Sequence, residues 1–368
     1  MRELIVDLQR WLRQGRRVVL ARVVVLEGSG PRDPGAAMAV DGDGEVIGSV
    51  SGGCVEGAVV AEALDVLRTS ERRLVSFGYT DGEAVGVGLT CGGTIHLFLA
   101  ELGSAGPSAA LLDDLATAVS DHRPAVLATV VEGSGVGDGL LVVDGREPVG
   151  RLADPGLHRV VLRDAEGVLA TGATAVRHYG SEGQAIDDQV AVFFETFAPP
   201  PRLIVVGAVD FTASLVRVAK ALGYHVTVCD ARAVFATRAR FPLADEVVVD
   251  WPHRHLDQVG GSLGPRDAVC VLTHDAKFDV PAIVAALGTE VGYLGAMGSR
   301  RTTAERAESL RAAGVTEAQL GRLLAPIGLD IGARTPEETA IAICAEMIAQ
   351  RTGRDAPRLR DGTGPIHR

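Results

Sequence analysis

The chain has 368 residues, 47% apolar and 23% charged, with a mean hydropathy of +0.21; this excludes a largely disordered polymer and leaves room for two or three packed domains. Its net charge of −11 argues against a nucleic-acid backbone or an anionic membrane as the main partner. With 45 glycines and only 4% aromatics, it should have many tight turns and backbone-lined pockets around a core of Val, Ala and Leu. At the start, Leu4, Ile5, Leu8, Trp11 and Leu12 recur at helical spacing, and Arg13, Arg16 and Arg17 follow. A secretory leader has the opposite order, and no run reaches the ~18 apolar residues of a membrane span, so the expectation is a cytoplasmic chain with no membrane partner. Five cysteines (Cys54, Cys91, Cys229, Cys270 and Cys344) are widely spaced and form no C-x-x-C. That predicts a reducing compartment, no disulfide framework and no structural zinc.

The first 197 residues carry an internal repeat. A strand-like run from Arg17 closes in Glu27-Gly28-Ser29-Gly30, and a second from Arg123 closes in Glu132-Gly133-Ser134-Gly135. Met38-Ala-Val-Asp-Gly42 then matches Leu141-Val-Val-Asp-Gly145, and Val46-Ile-Gly48 matches Pro148-Val-Gly150. Three ordered matches outweigh chance similarity between valine-rich strands. What both copies retain is read as scaffold. What only the first has (Pro31-Arg32, Ser51-Gly52-Gly53-Cys54 and Cys91-Gly92-Gly93) is the better functional candidate. The expected division is 1–103, then a degenerate second copy over 108–198, a third domain over 201–352 and a disordered tail over 353–368. The break at Pro199-Pro200-Pro201 is the sharpest, because three prolines neither continue a helix nor sit in a central strand.

Ser51-Gly52-Gly53-Cys54-Val55-Glu56 precedes an amphipathic helix running to about Arg68, with Val55, Val59, Ala63, Val66 and Leu67 on one stripe. Ser51 is the expected N-cap. The glycines leave N–H groups free to approach a ligand at a helix end that favours an anion. For one such loop, a turn around an inert buried cysteine is an equal reading. Cys91-Gly92-Gly93, before the strand Thr94–Leu102, repeats the arrangement and tips the balance toward a soft metal, a sulfur ligand or sulfur transfer. No third His or Cys stands at ligand spacing, so no closed metal cage is expected.

After Pro201 apolar strands alternate with helices, the pattern of a doubly wound, Rossmann-like parallel sheet. Strands are expected over 203–207, 225–230, 246–250, 268–273, 291–294 and 323–327. Helices are expected over 211–222, 279–287, 302–313 and 337–350, the last opened by the capping sequence Thr335-Pro336-Glu337-Glu338. Ligands bind such sheets at the carboxyl ends of the strands. These ends carry Gly207-Ala-Val-Asp210, Asp230-Ala-Arg232, His274-Asp275 and Gly298-Ser299-Arg300. Asp230 stands at the distance from Gly207 of a ribose-binding acid. The second and third glycines of the dinucleotide fingerprint, however, fall on Val209 and Thr212, which argues against ordinary NAD(P) binding. Gly298-Ser299-Arg300 before a helix is a second anion candidate, with Arg300 or Arg301 to pair phosphate.

Assembled, these motifs resemble the XdhC–CoxI family of molybdenum-hydroxylase accessory proteins over nearly the whole chain. The resemblance rests on Gly28-Ser-Gly-Pro-Arg32, Gly35-Ala-Ala-Met38, Ser51-Gly-Gly-Cys54-Val-Glu56 and Cys91-Gly-Gly93. In the second half it rests on Cys229-Asp-Ala-Arg232, Thr273-His-Asp275, Tyr293-Leu-Gly-Ala-Met-Gly-Ser-Arg300 and the stretch Pro326–Glu338. It implies an N-terminal α+β domain with a degenerate repeat followed by a Rossmann-like domain. It also implies a chaperone that binds the molybdenum cofactor (molybdopterin or its dinucleotide form), supports its sulfuration and delivers it to a xanthine dehydrogenase-type apoenzyme. Such a protein is a maturation factor rather than a turnover enzyme, with a cysteine desulfurase as a further partner, a homodimeric state and no nucleic acid. Helix N-termini and Arg300 would take the phosphate, and Cys54 and Cys91 would sit near the metal. Relatives commonly read Gly-x-Gly-His at the first Rossmann turn, and this chain departs from them with Gly207-Ala-Val-Asp210. The rival reading is an NAD(P)-dependent oxidoreductase; a third is a docking scaffold that holds no cofactor.

Overall fold

The computed structural model describes residues 1–30, 32–78, 93–103, 109–181, 183–184 and 189–361, and the chain divides after Pro199 into two compact units. Residues 104–107 of the expected first linker and 362–368 of the expected tail lie outside the described residues.

In the first unit, α1 (Ile5–Arg13) buries Ile5, Leu8 and Trp11, the stripe read from its spacing. The chain continues through β1 (Val18–Glu27), β2 (Ala37–Asp41), β3 (Val46–Gly48), α2 (Glu56–Thr69), β4 (Arg73–Phe77) and β5 (Thr94–Glu101). The series then returns as α3 (Ala109–Ser120), β6 (Ala125–Glu132), β7 (Gly139–Val143), β8 (Val149–Arg151), α4 (Pro155–Thr171), β9 (Ala175–Tyr179) and β10 (Val190–Phe197). The two antiparallel sheets have strand orders β3-β2-β1-β5-β4 and β8-β7-β6-β10-β9, so the sequence repeat is a repeat of topology.

The retained glycines show why the repeat persists. Gly48 and Gly150 have φ of +79° and +90°, and a Cβ on either would lie 2.4 Å from a carbonyl oxygen of the neighbouring strand, Ala37 or Gly139. A residue with a Cβ at either position would be strained.

Strand alternation sets the layers. Val19, Ala21 and Val23 of β1 face α2, packing with Val59, Ala63 and Val66. Val126, Ala128 and Val130 of β6 face α4 in the same manner. The opposite faces meet α1 and α3 at one end, around Trp11, Leu115 and Phe197. Farther along they meet each other, with Val24, Phe98 and Ala100 against Val131, Ala191 and Phe193. Within this inner layer Arg22 of β1 is buried. It reaches Glu195 of β10 at 3.3 Å and donates to the Thr129 hydroxyl of β6 at 3.1 Å.

The second unit holds β11 (Arg202–Val206), α5 (Asp210–Ala221), β12 (His225–Cys229), β13 (Glu246–Val248), α6 (Pro252–Val259), β14 (Ala268–Val271), α7 (Ala276–Leu287), β15 (Tyr293–Ala296), α8 (Arg300–Ala312), α9 (Glu317–Leu320), β16 (Leu323–Leu324) and α10 (Pro336–Thr352). The strands form one parallel sheet in the order β13-β12-β11-β14-β15-β16, with α5 and α10 on one face and α6, α7 and α8 on the other. This is the doubly wound Rossmann order, with its switch point between β11 and β14. The expected capping box of α10 is present, Thr335 and Glu338 each bonding the other's backbone N–H. Two helices were not anticipated. α6 is short and largely polar, Pro252-His-Arg-His-Leu-Asp-Gln-Val259, and α9 is a single turn, so neither presents enough apolar residues to show a period.

Candidate functional site

In the first unit, Ser49–Val55 link β3 to α2. The expectation of free N–H groups there is corrected by Glu56, the first residue of α2. Its carboxylate accepts from Ser49 Oγ (2.7 Å), Ser51 N (2.9 Å), Ser51 Oγ (2.6 Å), Gly53 N (2.8 Å) and Val55 N (3.2 Å). Gly52 N donates to Ser49 Oγ and Cys54 N to Ser51 Oγ. The nest is therefore filled by the chain's own anion, not held open for a guest's. Ser51 is not the N-cap either. Val55 occupies that position, and Ser51, four residues earlier, accepts from Cys54 N and Val55 N. Burial tends to raise the Glu56 pKa, but bonds from Ser51, Ser49 and the loop amides outweigh it and bring it to about 2.

These bonds within the chain hold Cys54 in place. Gly52 and Gly53, at φ +77° and +123°, supply the left-handed turn, and a Cβ on either would meet nothing within 4 Å. Beside this open approach Cys54 is half-buried, forms no disulfide and packs on the cluster of Val50, Val55 and Ile95. Cys91 and Gly92 lie outside the described residues. Gly93 is described, and a Cβ there would lie 2.3 Å from the Ser29 carbonyl oxygen. Thr94 pairs with Glu27. β3 runs in the direction of β1, so the chain leaves Gly48 toward the end of the sheet where Glu27 and Gly93 lie. The second copy differs here: α4 is closed by an ordinary Asp154 cap that accepts from Leu157 N at 2.7 Å. Arg32 is half-exposed, pairs with Glu3 at 3.5 Å and lines a shallow depression that Asp33 shares; those two acids disfavour an anion there.

In the second unit, the residues named from the strand ends gather at the carboxyl edge of the sheet, in two groups. Around β11 and β12, Gly207 has φ +112°, and its Cβ would lie 2.5 Å from the methyl carbon of Thr273, two residues past β14, so the glycine makes room for that side chain. Asp230 is buried and accepts from Ala208 N (2.8 Å) and from the Arg232 guanidinium (2.9 and 2.7 Å). Burial would raise its pKa, but Arg232 and the Ala208 and Arg232 amides hold it below the usual range. A ribose-binding acid must offer its carboxylate outward, and this one faces its own turn. The Asp210 side chain stands exposed at the start of α5, where a pyrophosphate would need positive field. Both features disfavour a dinucleotide at this turn. Arg232 and Arg240 stack on Phe235 from 4.6 and 5.5 Å, which leaves a cationic, partly aromatic rim.

Around β14 and β15, His274 is exposed and Asp275 caps α7, accepting from Lys277 N. Ser299 caps α8, accepting from Thr302 N at 3.1 Å. Beneath them lies a cluster that the sequence reading missed. Asp279 accepts from Thr273 Oγ1 and, at 2.9 Å, from Arg306, which also donates to the Met297 carbonyl. The one signal was an acid inside the apolar run Phe278-Asp-Val-Pro-Ala-Ile-Val284. Among the described residues no three His, Cys, Asp or Glu side chains converge as metal ligands, and no helix is long and apolar enough to cross a membrane.

Two family models match the chain, the XdhC and CoxI family over residues 11–78 and the XdhC Rossmann domain over residues 203–347, more than half of it together. A Bacillus subtilis (strain 168) protein named as a probable xanthine dehydrogenase subunit is 28% identical over 342 residues, 92% of this chain and 95% of that one. The molybdenum cofactor insertion chaperone PaoD of Escherichia coli (strain K12) is 27% identical over 341 residues, 92% of this chain and 85% of that one. A crystal structure described as a xanthine dehydrogenase from Bacillus halodurans matches with a TM-score of 0.70 at 26% identity, covering 96% of this chain and 97% of that one. The fold, the motifs and these matches agree: the chain belongs to the XdhC and CoxI family.

Proposed function

We propose that the protein is a maturation factor that binds molybdenum cofactor, shelters it during sulfuration and hands it to a xanthine dehydrogenase-type molybdenum hydroxylase. The observation that carries this reading is the chain-long likeness to a cofactor insertion chaperone, which spans both units. The residues fit such cargo. The cofactor brings its own dithiolene to the metal, so its carrier needs a soft, accessible neighbour rather than a closed cage. Cys54 is a half-buried thiol on a loop whose amides are locked by Glu56 and whose glycines leave the approach open. Within the second unit, the strand ends carry Arg232 and Arg240, cationic groups that suit an anionic ligand. The further partners of this reading are a cysteine desulfurase as sulfur source and a second copy of the chain.

The test is transfer. Chain loaded with released cofactor is mixed with apo-hydroxylase, and the return of hydroxylase activity is followed. The wild-type chain should restore it, and Cys54→Ser should reduce it at least tenfold while the melting profile stays unchanged. Equal transfer by the variant would remove Cys54 from the function. No transfer by the wild type would remove the function itself.

A further inference from the structure

The Arg306 residue is 6% exposed, and its Nη1 has no hydrogen-bond partner, although Nη2 serves both Asp279 and the Met297 carbonyl. A buried guanidinium nitrogen left without an acceptor is costly, and it calls for a group the protein does not itself supply. Its position says where that group would sit. A Cβ built on Gly298 would lie 3.5 Å from Arg306 Nη1, so the orphan nitrogen lies directly behind the Gly298–Ser299 turn. That turn opens the thirteen-residue α8, whose first N–H groups carry the positive end of the helix field. A second orphan, Thr303 Oγ1, shares the face of α8 that carries Arg306, three residues away. Arg300 begins the helix at the surface. The nearest acid, Asp279, is already neutralised by Arg306, and the exposed Asp275 by Lys277 at 3.1 Å.

We infer that the Gly298–Ser299 turn backed by Arg306 is a phosphate-binding site, with Arg306 as its buried donor and the α8 amides as its rim. It lies at the carboxyl end of β15, on the edge of the sheet where such folds take ligands. The guest's identity rests on the carrier reading above; the phosphate chemistry does not.

The probe is inorganic pyrophosphate, with inorganic phosphate alongside, titrated at low ionic strength into the isotope-labelled full chain. Amide shifts should concentrate at Gly298, Ser299 and Arg300. By calorimetry Arg306→Lys, which keeps the charge beside Asp279 but loses the second nitrogen, should bind pyrophosphate at least tenfold more weakly. If that variant does not fold, Gly298→Ala sets a methyl group beside Nη1 and should weaken binding several-fold. Shifts confined to the Gly207–Ala208 turn, no saturable binding, or unchanged affinity in the folded variants would each overturn the site. Pyrophosphate binding at Gly298 without cofactor retention would sink the carrier reading and leave this site standing; retention without pyrophosphate binding would do the reverse.

Discussion

The carboxylate of Glu56 organises five donors of the loop that carries Cys54. Its pKa near 2 lies below the ordinary 4.5, so its stabilisation is complete above about pH 4.5 and is lost as pH falls through 2. Glu56→Gln should therefore destabilise the chain by about 1–2 kcal/mol in urea unfolding at pH 7. The gap to wild type should narrow steadily between pH 4.5 and pH 2; a constant gap would show that the charge does not hold the loop. Sequence reading reached Ser51, Gly52, Gly53 and Cys54 but assigned the loop's amides to a guest. A Glu at the head of a helix is ordinary dipole chemistry, and nothing in its spacing says that it turns back on the preceding glycines. Arg306 was hidden for a similar reason, because its partners Asp279 and Met297 come from other elements.

Elements of the two copies share one close-approach device. Gly48 ends β3 and Gly150 is the middle residue of β8, both at positive φ, with a carbonyl of the adjacent strand where a Cβ would be. Gly48→Ala and Gly150→Ala should each cost about 1–3 kcal/mol. Gly42→Ala, whose Cβ would meet nothing, should stay within about 0.5 kcal/mol. Chemical unfolding of the three variants checks this, and a tolerant Gly48 or Gly150 would make the matched glycines a coincidence of composition. The hairpins were legible because their strands alternate and their turns repeat Val-Asp-Gly, and the parallel strands because most of their residues are apolar, as in Leu203–Val206 and Ala268–Val271. The start of α2 was misplaced because a capping serine and a loop serine look alike when two glycines follow.

At the scale of the whole molecule, the first unit is two like sheets joined through an inner layer in which buried Glu195 meets both Arg22, at 3.3 Å, and the Met1 ammonium, at 3.2 Å. Glu195→Leu strands two buried cations and should cost about 3–5 kcal/mol; Arg22→Met leaves Glu195 its Met1 ammonium and should cost less, and the double replacement, which strands only the ammonium, should cost less than the sum of the two. Denaturation of the three variants reads this as a coupling; additive losses would mean that the pair does not bridge the sheets. No sequence pattern paired residues so distant, since each lies in a strand that reads as ordinary on its own. The proposed function is carriage of a molybdenum-bearing pterin, and retention tests it most directly. Purified chain is incubated with excess released cofactor, passed through gel filtration and assayed for bound molybdenum and pterin. The two are expected in equal amounts, close to one per binding-competent chain; metal and pterin no higher than on a denatured control would contradict carriage.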